Sequence, residues 1–262
     1  MSTQTEARTL TKEDLERACI VHPHPEGLVL DNEGVEGLEK DDVERCDGAF
    51  LVEGLFSPAE CDMIVEAGET IGFTVAPVST SSGPELLPEV RTNMRVMFEG
   101  SSEFMAAIAD RIHDIVPQSV EASPPRIGDE GEWVLVANGE AMLNERIRIY
   151  RYLDGEVFRP HFDGCFPRTR TNISLLTLIV YLSDGFEGGE TTFFPEGRVS
   201  FVSPPGLEDP IAIRPVKGRA LLFPHGPAKQ SPFHEGTPHT TPNVYKYAFR
   251  SDVMYEWVPS QQ

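Results

Sequence analysis

The residues best suited to chemistry in this sequence are His161-Phe162-Asp163, near the end of the stretch RIRIYRYLDGEVFRPHFDGC. Side chains alternate between the two faces of a β-strand, so His161 and Asp163 would point to the same side of a strand. One imidazole and one carboxylate, joined by a second imidazole, form a facial set of three ligands that suits non-haem Fe(II) and leaves coordination positions open. The triplet therefore predicts a metal site, provided that a third ligand lies elsewhere in the chain.

Three later histidines could supply that third ligand. His225 lies in LLFPHGP, His234 in SPFHEGTP and His239 in TPHTTP. Spacing alone leaves all three open. A lone late histidine is more often a structural residue than a ligand, so the choice needs further information.

The elements that must position these residues are short strands in the second half of the chain. WVLVANG, LNERIRIYRY and EVFRPHFD are typical of strands, and SLLTLIVYL at 174–182 is apolar on both faces, as expected of a buried central strand. TTFF, two strands within IAIRPVKGRALLFPH, and VYKYAFRSDVMYEWV follow. About eight short strands preceded by two helices predict an α+β, mainly β protein. Its architecture would be a double-stranded β-helix, or jelly-roll barrel, with N-terminal supporting helices.

Two helix patterns precede these strands. Ser57-Pro58-Ala59-Glu60 has a serine N-cap, proline at the first helical position and glutamate closing a capping box, which predicts a helix to about Thr70. A second helix is predicted from Ser102, because apolar residues recur every three to four positions at Phe104, Ile108, Ile112 and Ile115. This spacing favours packing of the helix on a sheet.

Two of the predicted strands carry polar side chains on one face. Ile147 and Ile149 alternate with a polar set made up of Arg146, Arg148, Tyr150 and Tyr152. In the final strand Lys246, Ala248 and Arg250 alternate with an expected packed set made up of Tyr245, Tyr247, Phe249, Val253, Tyr255 and Trp257. Because burying an unpaired charge is costly, a polar face on a central strand indicates a barrel interior that holds a polar ligand. A solvent-facing side is the alternative.

Composition limits the class of protein. The chain has 262 residues and a net charge of −20. This acidity argues against binding to phosphate backbones, so we expect no nucleic-acid partner. Solubility is the simpler reason for the charge, and a cationic substrate is the alternative. No apolar run has membrane-spanning length, so we expect no membrane partner. The N-terminus lacks a secretory signal pattern, and the four scattered cysteines favour reduced thiols. We therefore expect a cytoplasmic protein.

One domain is expected at 48–262, with its jelly-roll core at about 143–258 and an N-terminal extension at 1–47. Thr11-Lys12-Glu13-Asp14 resembles a capping box, which predicts a short helix in the extension. Residues 73–93 are rich in Ser, Thr, Pro and Gly and are expected to form a long loop, either a lid over a substrate or an exposed connector.

Four ordered motifs carry a family resemblance. RYLDGEVFRPHFDG, LTLIVYLSDGFEGGETTFF, KGRALLFPH followed by HEG, and KYAFRSDVMY closely resemble the prolyl-4-hydroxylase-like branch of the Fe(II)/2-oxoglutarate dioxygenases, over roughly residues 143–256. The resemblance implies that His234, which opens the HEG turn, is the third ligand beside His161 and Asp163. It gives His239 no role. Related halogenases carry a small residue in place of Asp163, so the resemblance implies hydroxylation instead of halogenation.

The resemblance also implies a site for 2-oxoglutarate. Lys246 would meet the C5 carboxylate, although it follows His234 by twelve residues, which is two more than the usual spacing in the family. Arg250 on the same strand face is the alternative, and a structural ion pair is the alternative for either residue. Further pocket positions match Tyr152, Tyr181 and Thr191. For the tyrosines, a core role with one hydrogen-bond partner remains equally open.

The implied activity is decarboxylation of 2-oxoglutarate to succinate, coupled through O2 and Fe(II) to hydroxylation of an unactivated C–H bond in a peptidyl prolyl or small-molecule substrate. Ascorbate is a candidate reductant. Arg148 and Arg170, with Arg146 and residues 73–93, are candidate substrate contacts, and barrel ion pairs are the alternative for the arginines. The second hypothesis is a jelly-roll binding or scaffold protein with a vestigial or structural metal site. Desaturation or cyclisation in place of hydroxylation, and the oligomeric state, stay open.

Overall fold

The computed structural model describes residues 10–260, apart from 34, 36, 138 and 196–208. The first nine residues of the expected N-terminal extension therefore lie outside the described residues. The helices of the described part are α1 (Lys12–Ala18), α2 (Pro58–Ile71) and α3 (Ser102–Ile112), with a 3-10 turn at Gly139–Met142. None of them is long and apolar enough to cross a membrane.

The strands of the described residues are mostly short and lie mainly after α3. In chain order they are β1 (Lys40–Asp42), β2 (Phe50–Val52), β3 (Thr74–Val75), β4 (Val78–Thr80), β5 (Gly83–Glu85), β6 (Met94–Glu99), β7 (Ser119–Val120), β8 (Gly131–Leu135), β9 (Arg146–Tyr152), β10 (Phe158–His161), β11 (Asn172–Tyr181), β12 (Thr191–Phe194), β13 (Ile211–Ile213), β14 (Ala220–Pro224), β15 (Phe233–Gly236) and β16 (Lys246–Pro259).

The helices begin where the sequence predicts. Ser57 and Glu60 form the capping box of α2 with Pro58 in its first turn, and Thr11 forms the same kind of box with Asp14 at α1. At α3 the Ser101 side chain accepts a hydrogen bond from the backbone N–H of Phe104. Such caps satisfy backbone N–H groups that have no partner within the helix. The predicted apolar stripe is confirmed for Phe104, Ile108 and Ile112, which are buried, whereas Ile115 lies beyond the end of α3 and is half-buried.

Two antiparallel sheets face each other and form the predicted double-stranded β-helix. The major sheet has the order β1-β2-β14-β11-β16-β9-β6-β3, with β8 pairing with the far end of β16 and β7 pairing with β8. The minor sheet has the order β10-β15-β12-β13. A separate hairpin joins β4 to β5. Chain neighbours such as β10 and β11 thus lie in different sheets, which is the jelly-roll arrangement.

The major sheet divides the molecule into a helix side and a pocket side. Ile147, Ile149 and Phe249 point to the helix side and are fully buried. The ring of Phe249 lies 5.3 Å from that of Phe56 and 6.4 Å from that of Phe104 on α3. The polar residues that alternate with them along β9 and β16 face the minor sheet. The interpretation of these strands as walls of a barrel interior is therefore confirmed.

Two details differ from the sequence expectations. Strand β10 ends at His161, so Asp163 lies just beyond the strand, and the β10–β15 register shifts between Phe158 and His161 in the manner of a β-bulge. Tyr245 was expected in the packed set of the last strand, but it precedes β16 and is 41% exposed. The packed face of that strand begins with Tyr247, which is half-buried, and continues through Phe249.

Residues 73–93 are less loop-like than expected, since they contain β3 and the β4–β5 hairpin. Their last part is tied to the minor sheet by a bridge between Arg91 and Phe158 and by the N–H of Thr92, which donates to the Val157 carbonyl at 3.0 Å. The segment thus runs along one wall of the inter-sheet cleft. The expected domain bounds, 1–47 and 48–262, stay a prediction; β1, inside the expected extension, pairs with β2.

Candidate active site

Three potential metal ligands converge between the two sheets. His161 and His234 lie directly opposite each other on β10 and β15, and their ring centroids are 4.4 Å apart. The carboxylate of Asp163 reaches both: it lies 3.5 Å from the Nε2 atom of His161 and 3.7 Å from that of His234. One ligand atom from each of the three residues lies within 4.8 Å of the other two, close enough to hold a single ion.

The hydrogen bonds of the two imidazoles leave their inward nitrogens free for a metal. The Nδ1–H of His161 donates to the Arg159 carbonyl at 2.7 Å, and the Nδ1–H of His234 donates to the Pro232 carbonyl at 3.2 Å. Each Nε2 atom then carries a lone pair directed toward the other ligands, and a backbone partner on the outer nitrogen fixes the ring orientation of metal-binding histidines. Burial, together with the neighbouring His161, lowers the pKa of His234 to about 3, so its ring is neutral and able to coordinate.

Asp163 is held ionised by its surroundings. Burial would raise its pKa, but Arg250 and the two imidazoles hold the pKa well below the usual value. Arg250 donates from Nη1 to Asp163 at 2.8 Å and from Nη2 to Asp252 at 3.1 Å. The donor set, two imidazoles and one carboxylate on one side of a space, fits a divalent non-haem iron site.

A buried polar chain supports Asp163 from behind. Thr177 on β11 donates its hydroxyl hydrogen to Asp163 at 2.9 Å, so the His225 nitrogen 2.7 Å from the same hydroxyl is the donor of that contact. The other His225 nitrogen then accepts from the Ser174 hydroxyl at 2.8 Å. Burial lowers the pKa of His225 and favours this neutral form. His225, one of the three histidines left open by spacing, is thus a supporting residue of the site.

Beside the triad is a pocket with a buried lysine. Lys246 is 4% exposed, and among the described residues its ammonium group makes no ion pair or hydrogen bond. It lies 4.8 Å from the centre of the Tyr152 ring, which faces it across the β9–β16 pair. Burial lowers the pKa of Lys246 to about 8. The same pocket is lined by both tyrosines and the threonine expected from the sequence: Tyr152, Tyr181 and Thr191.

The pocket fits a small dicarboxylate that also reaches the metal. The Tyr181 hydroxyl donates to the Thr191 hydroxyl at 2.8 Å, which leaves the hydroxyl hydrogen of Thr191 free to donate to a bound anion. Gly189 gives Lys246 room, because a Cβ atom there would lie 3.3 Å from the lysine Cδ atom and 2.8 Å from the Phe186 ring. A buried cation that makes no ion pair with any described residue at one end, and an open metal site at the other, match the two ends of 2-oxoglutarate.

Other candidates from the sequence lie elsewhere. Arg148 lines the cleft outside the triad and donates to Asp252 at 3.1 Å. Arg170 is exposed and lies in a separate groove beside Trp257, so the structure does not bring it to the site. His239 is buried away from the triad, with its Nε2–H donating to the Tyr152 carbonyl at 3.2 Å.

Sequence reasoning missed two site arginines on the 90–96 stretch, Arg91 and Arg95. Both line the cleft outside the triad, and Arg91, which is 6% exposed, also lines the pocket beside Lys246. The period-two alternation that drew attention to Arg146 and Arg148 would also have paired Arg91 with Arg95, because residues four apart in an extended segment lie on one face. Because residues 73–93 were expected to form a loop, the alternation was not applied to Arg91.

The sequence matches the model of the 2OG-Fe(II) oxygenase superfamily over residues 147–251. It is 28% identical over 187 residues to the probable prolyl 4-hydroxylase 4 of Arabidopsis thaliana, with 67% of this chain and 56% of that protein covered. It is 30% identical over 190 residues to the probable prolyl 4-hydroxylase 6 of the same plant, covering 67% and 57%. The chain thus spans a little over half the length of these relatives.

Solved structures of prolyl hydroxylases show a distant similarity. For a viral collagen prolyl hydroxylase from Paramecium Bursaria Chlorella virus-1 the TM-score is 0.46 at 21% identity, covering 80% of this chain and 98% of that one. For a prolyl hydroxylase from Trichoplax adhaerens in complex with a hypoxia inducible factor peptide the TM-score is 0.49 at 16% identity, covering 80% and 84%.

Proposed function

We propose, from the premise that this chain belongs to the 2OG-Fe(II) oxygenase superfamily, that it is an Fe(II)- and 2-oxoglutarate-dependent hydroxylase. The observation that carries the proposal is the convergence of His161, Asp163 and His234 beside a pocket containing the buried Lys246. The reaction would consume O2, convert 2-oxoglutarate to succinate and CO2, and hydroxylate an unactivated C–H bond.

In this proposal the two imidazoles and Asp163 hold Fe(II), which supplies the oxidising chemistry when it is bound with 2-oxoglutarate. The protein's part is to orient and to exclude water. The backbone carbonyls at Arg159 and Pro232 keep both Nε2 atoms directed inward. Thr177 holds one oxygen of Asp163 in place.

For 2-oxoglutarate we favour Lys246 over Arg250 as the partner of the C5 carboxylate. Arg250 already donates to Asp163 and to Asp252, so its charge is matched within the protein. Lys246 makes no ion pair with any residue that the structure describes, and a buried cation of this kind binds an incoming carboxylate strongly. Thr191, with Tyr181 behind it, and Tyr152 would complete the pocket wall.

The substrate proposal is a peptidyl prolyl group or a small molecule. The relatives are named prolyl 4-hydroxylases, and the cleft outside the triad is lined on one side by Pro77 and Ser79 at β4. Arg148 borders the same cleft. Ascorbate is the proposed reductant. The alternative of a binding or scaffold protein with a vestigial metal site is not favoured, since the ligand set and its supporting hydrogen bonds are complete.

We also propose a reducing compartment such as the cytoplasm. All four cysteines are free. Burial raises the pKa of both Cys46 and Cys61 to about 12, which keeps these two thiols protonated and unreactive. Titration of the thiols in freshly isolated protein should find all four accessible after denaturation without reductant. Finding fewer than four would count against this proposal.

The decisive experiment for the enzyme proposal is an anaerobic titration of the metal-free protein with Fe(II) and then 2-oxoglutarate. Chelation of the 2-oxo acid should produce a weak visible charge-transfer band from metal to ligand. The band should be lost in His161→Ala and in His234→Ala, because each removes one metal ligand. His113→Ala, at a histidine that contacts Asp114 at the surface, is the matched control and should keep the band.

The wild-type result decides between the hypotheses. A folded protein that gives no band with Fe(II) and 2-oxoglutarate would refute the oxygenase proposal and return attention to a binding protein. A band that survives in both alanine variants would place the chelating site elsewhere in the molecule.

A further inference from the structure

The cleft that leads from solvent to the triad is strongly cationic, although the whole chain carries a net charge of −20. We call this cleft the arginine mouth, defined by Arg91, Arg95, Arg146, Arg148 and Arg250. The acidic residues that line it are Asp163 and Asp252. Five arginines against two carboxylates leave an excess of positive charge at the point where a substrate must enter.

The excess is concentrated on three of the five arginines. Arg250 and Arg148 are matched within the protein through Asp163 and Asp252. The remaining three form no ion pair with any acidic residue that the structure describes: Arg91, Arg95 and Arg146. Placing unmatched guanidinium groups together is unfavourable in the empty protein, so their arrangement points to a negatively charged ligand.

Of these three arginines, Arg91 is linked to the triad through one aromatic ring. Its Nε–H donates to the Asn93 side chain at 2.6 Å, and its guanidinium group lies 4.1 Å from the centre of the Phe158 ring. That ring is stacked on the ring of His161 with centroids 3.6 Å apart. A single aromatic ring therefore separates Arg91 from a metal ligand, so a group bound by Arg91 would lie close to the metal site.

The other two arginines extend the mouth outward. One Arg95 nitrogen donates to the Ala18 carbonyl at 2.9 Å, but its Nε–H is buried and has no partner among the described residues. Arg146 is exposed and lies 5.7 Å from the centre of the Phe166 ring. The positive charge of these arginines also acts on the neighbouring Tyr150. Burial would raise the pKa of Tyr150, but Arg91 and the other arginines lower it to about 8.

We propose that the substrate carries a carboxylate within about one residue of the carbon that is hydroxylated, and that Arg91, Arg95 and Arg146 bind this carboxylate. This inference rests on the proposed function and narrows its substrate class. Two sources supply the same chemistry: the α-carboxylate of a free amino or imino acid, and an acidic side chain next to the target residue of a peptide. A neutral peptide would leave the three guanidinium groups unmatched.

The test measures binding, independently of turnover. Protein loaded anaerobically with Zn(II) and 2-oxoglutarate is titrated calorimetrically with matched probes that differ in one charge. One pair is N-acetyl-L-proline and N-acetyl-L-prolinamide, and the other is acetyl-Pro-Glu-amide and acetyl-Pro-Gln-amide. The acid of at least one pair should bind about tenfold or more tightly than its neutral partner, the factor expected for a charge-assisted contact. The pair that shows the preference identifies the source of the carboxylate.

Variants link the preference to the mouth. Arg146→Gln, at an exposed position that should tolerate the change, and Arg91→Gln should each lower the affinity for the acidic probe by about tenfold. The affinity for its neutral partner should not change. Arg126→Gln, at an exposed arginine outside the mouth, is the matched control and should change neither. In both mouth variants the Fe(II)–2-oxoglutarate charge-transfer band should persist.

The proposal is overturned if no acid binds more tightly than its neutral partner, including the case in which no member of either pair binds. Loss of the charge-transfer band in Arg91→Gln would assign Arg91 to the 2-oxoglutarate pocket and overturn its role here. A wild-type band with equal binding of acids and amides would refute only this inference, whereas absence of the wild-type band would refute the enzyme proposal itself.

Discussion

Lys246 shows at the scale of one residue how the pocket is prepared for a ligand. Its ammonium group is buried and makes no ion pair with any described residue, and burial lowers its pKa from 10.5 to about 8 despite the more distant charge of Glu190. A residue placed in this way destabilises the empty protein and becomes favourable only when an anion binds. Function and stability therefore oppose each other at this position.

Replacing Lys246 should therefore abolish function but stabilise the protein that holds no ligand. Lys246→Met should abolish binding of 2-oxoglutarate and raise the free energy of unfolding of the empty protein, by up to about 3 kcal/mol from the size of the pKa shift. Chemical denaturation and the charge-transfer titration measure the two effects. Lys12→Met, at an exposed lysine on α1, should change neither. A destabilised Lys246→Met protein would contradict the account of an unmatched charge.

The pKa of Lys246 also predicts a pH dependence. Because the folded pKa is below the unfolded value, the penalty for the charged amine is fully present below about pH 8 and is relieved as the pH rises toward 10.5. Wild-type stability without ligand should gain from this group over that interval, while affinity for 2-oxoglutarate should fall above about pH 8 as the amine loses its proton. Neither trend should be seen in Lys246→Met.

Thr177 tests the supporting chain behind the metal ligand. Thr177→Val keeps the side-chain shape but removes the hydrogen bond to Asp163 and leaves the donor nitrogen of His225 unpaired. Affinity for Fe(II) should fall by about 10- to 100-fold, as for other outer partners of metal ligands, and stability by about 1–3 kcal/mol. Metal titration and denaturation check this. The control is Thr70→Val, at an exposed position on α2. Unchanged Fe(II) affinity in Thr177→Val would contradict a role of Thr177 in supporting the metal ligand Asp163.

At the scale of elements, one buried ion pair fixes the helices that brace the sheet. Glu60 closes the capping box of α2 and also contacts Arg111 of α3 at 2.6 Å, and both side chains are almost fully buried. Arg111 donates in addition to the carbonyls of Leu55 and Asp31. Together these contacts set how α2 and α3 lie against the helix side of the major sheet.

Removing the negative charge of Glu60 should weaken the packing of α2 and α3 on the major sheet and leave the pocket unchanged. Glu60→Gln should lower the free energy of unfolding by about 2–3 kcal/mol, because Arg111 stays buried without a counter-charge. Arg111 and the cap hold the pKa of Glu60 below its usual 4.5 despite burial, so the wild-type contribution is present above about pH 4.5 and lost as the pH falls. Chemical denaturation at pH 7 and at pH 4 measures the free energy of unfolding of wild type and variant. Glu66→Gln, at an exposed position on α2, is the control. Equal stability of Glu60→Gln and wild type would refute the structural role of this ion pair.

At the scale of the whole molecule, charge is distributed unevenly. The net charge of −20 is spread over the chain, while the arginine mouth carries an excess of positive charge. Repulsion among the many carboxylates destabilises the compact state, and salt screens such surface repulsion over about 8 Å at physiological ionic strength.

Salt should therefore stabilise this protein. Raising NaCl from about 10 mM to about 150 mM should raise the midpoint of thermal unfolding by a few degrees, since the Debye length shortens from about 30 Å to about 8 Å. Differential scanning calorimetry at a series of salt concentrations checks this. A midpoint that falls with salt would mean that favourable ion pairs outweigh the repulsion.

The sequence by itself determined what depends on neighbouring residues. The capping boxes at Thr11 and Ser57 and the apolar stripe of α3 are local patterns, and the structure confirms them. The fold class followed from many short strands with the correct alternation. The types of ligand, imidazole and carboxylate, were also readable, because His-x-Asp brings its two side chains together within a few residues of chain.

Only the tertiary structure decided which distant residues meet. The pairing of β10 with β15 puts His234 opposite His161, while His225 supports Asp163 and His239 lies apart. The same pairing of distant strands leaves Lys246 without an ion-pair partner among the described residues and engages Arg250. It also brings Arg95 into the mouth, which Arg91 joins from a stretch expected to be a loop. Strand register between remote segments fixes these contacts, and a shift of one residue would reverse every side chain, so local sequence alone cannot specify them.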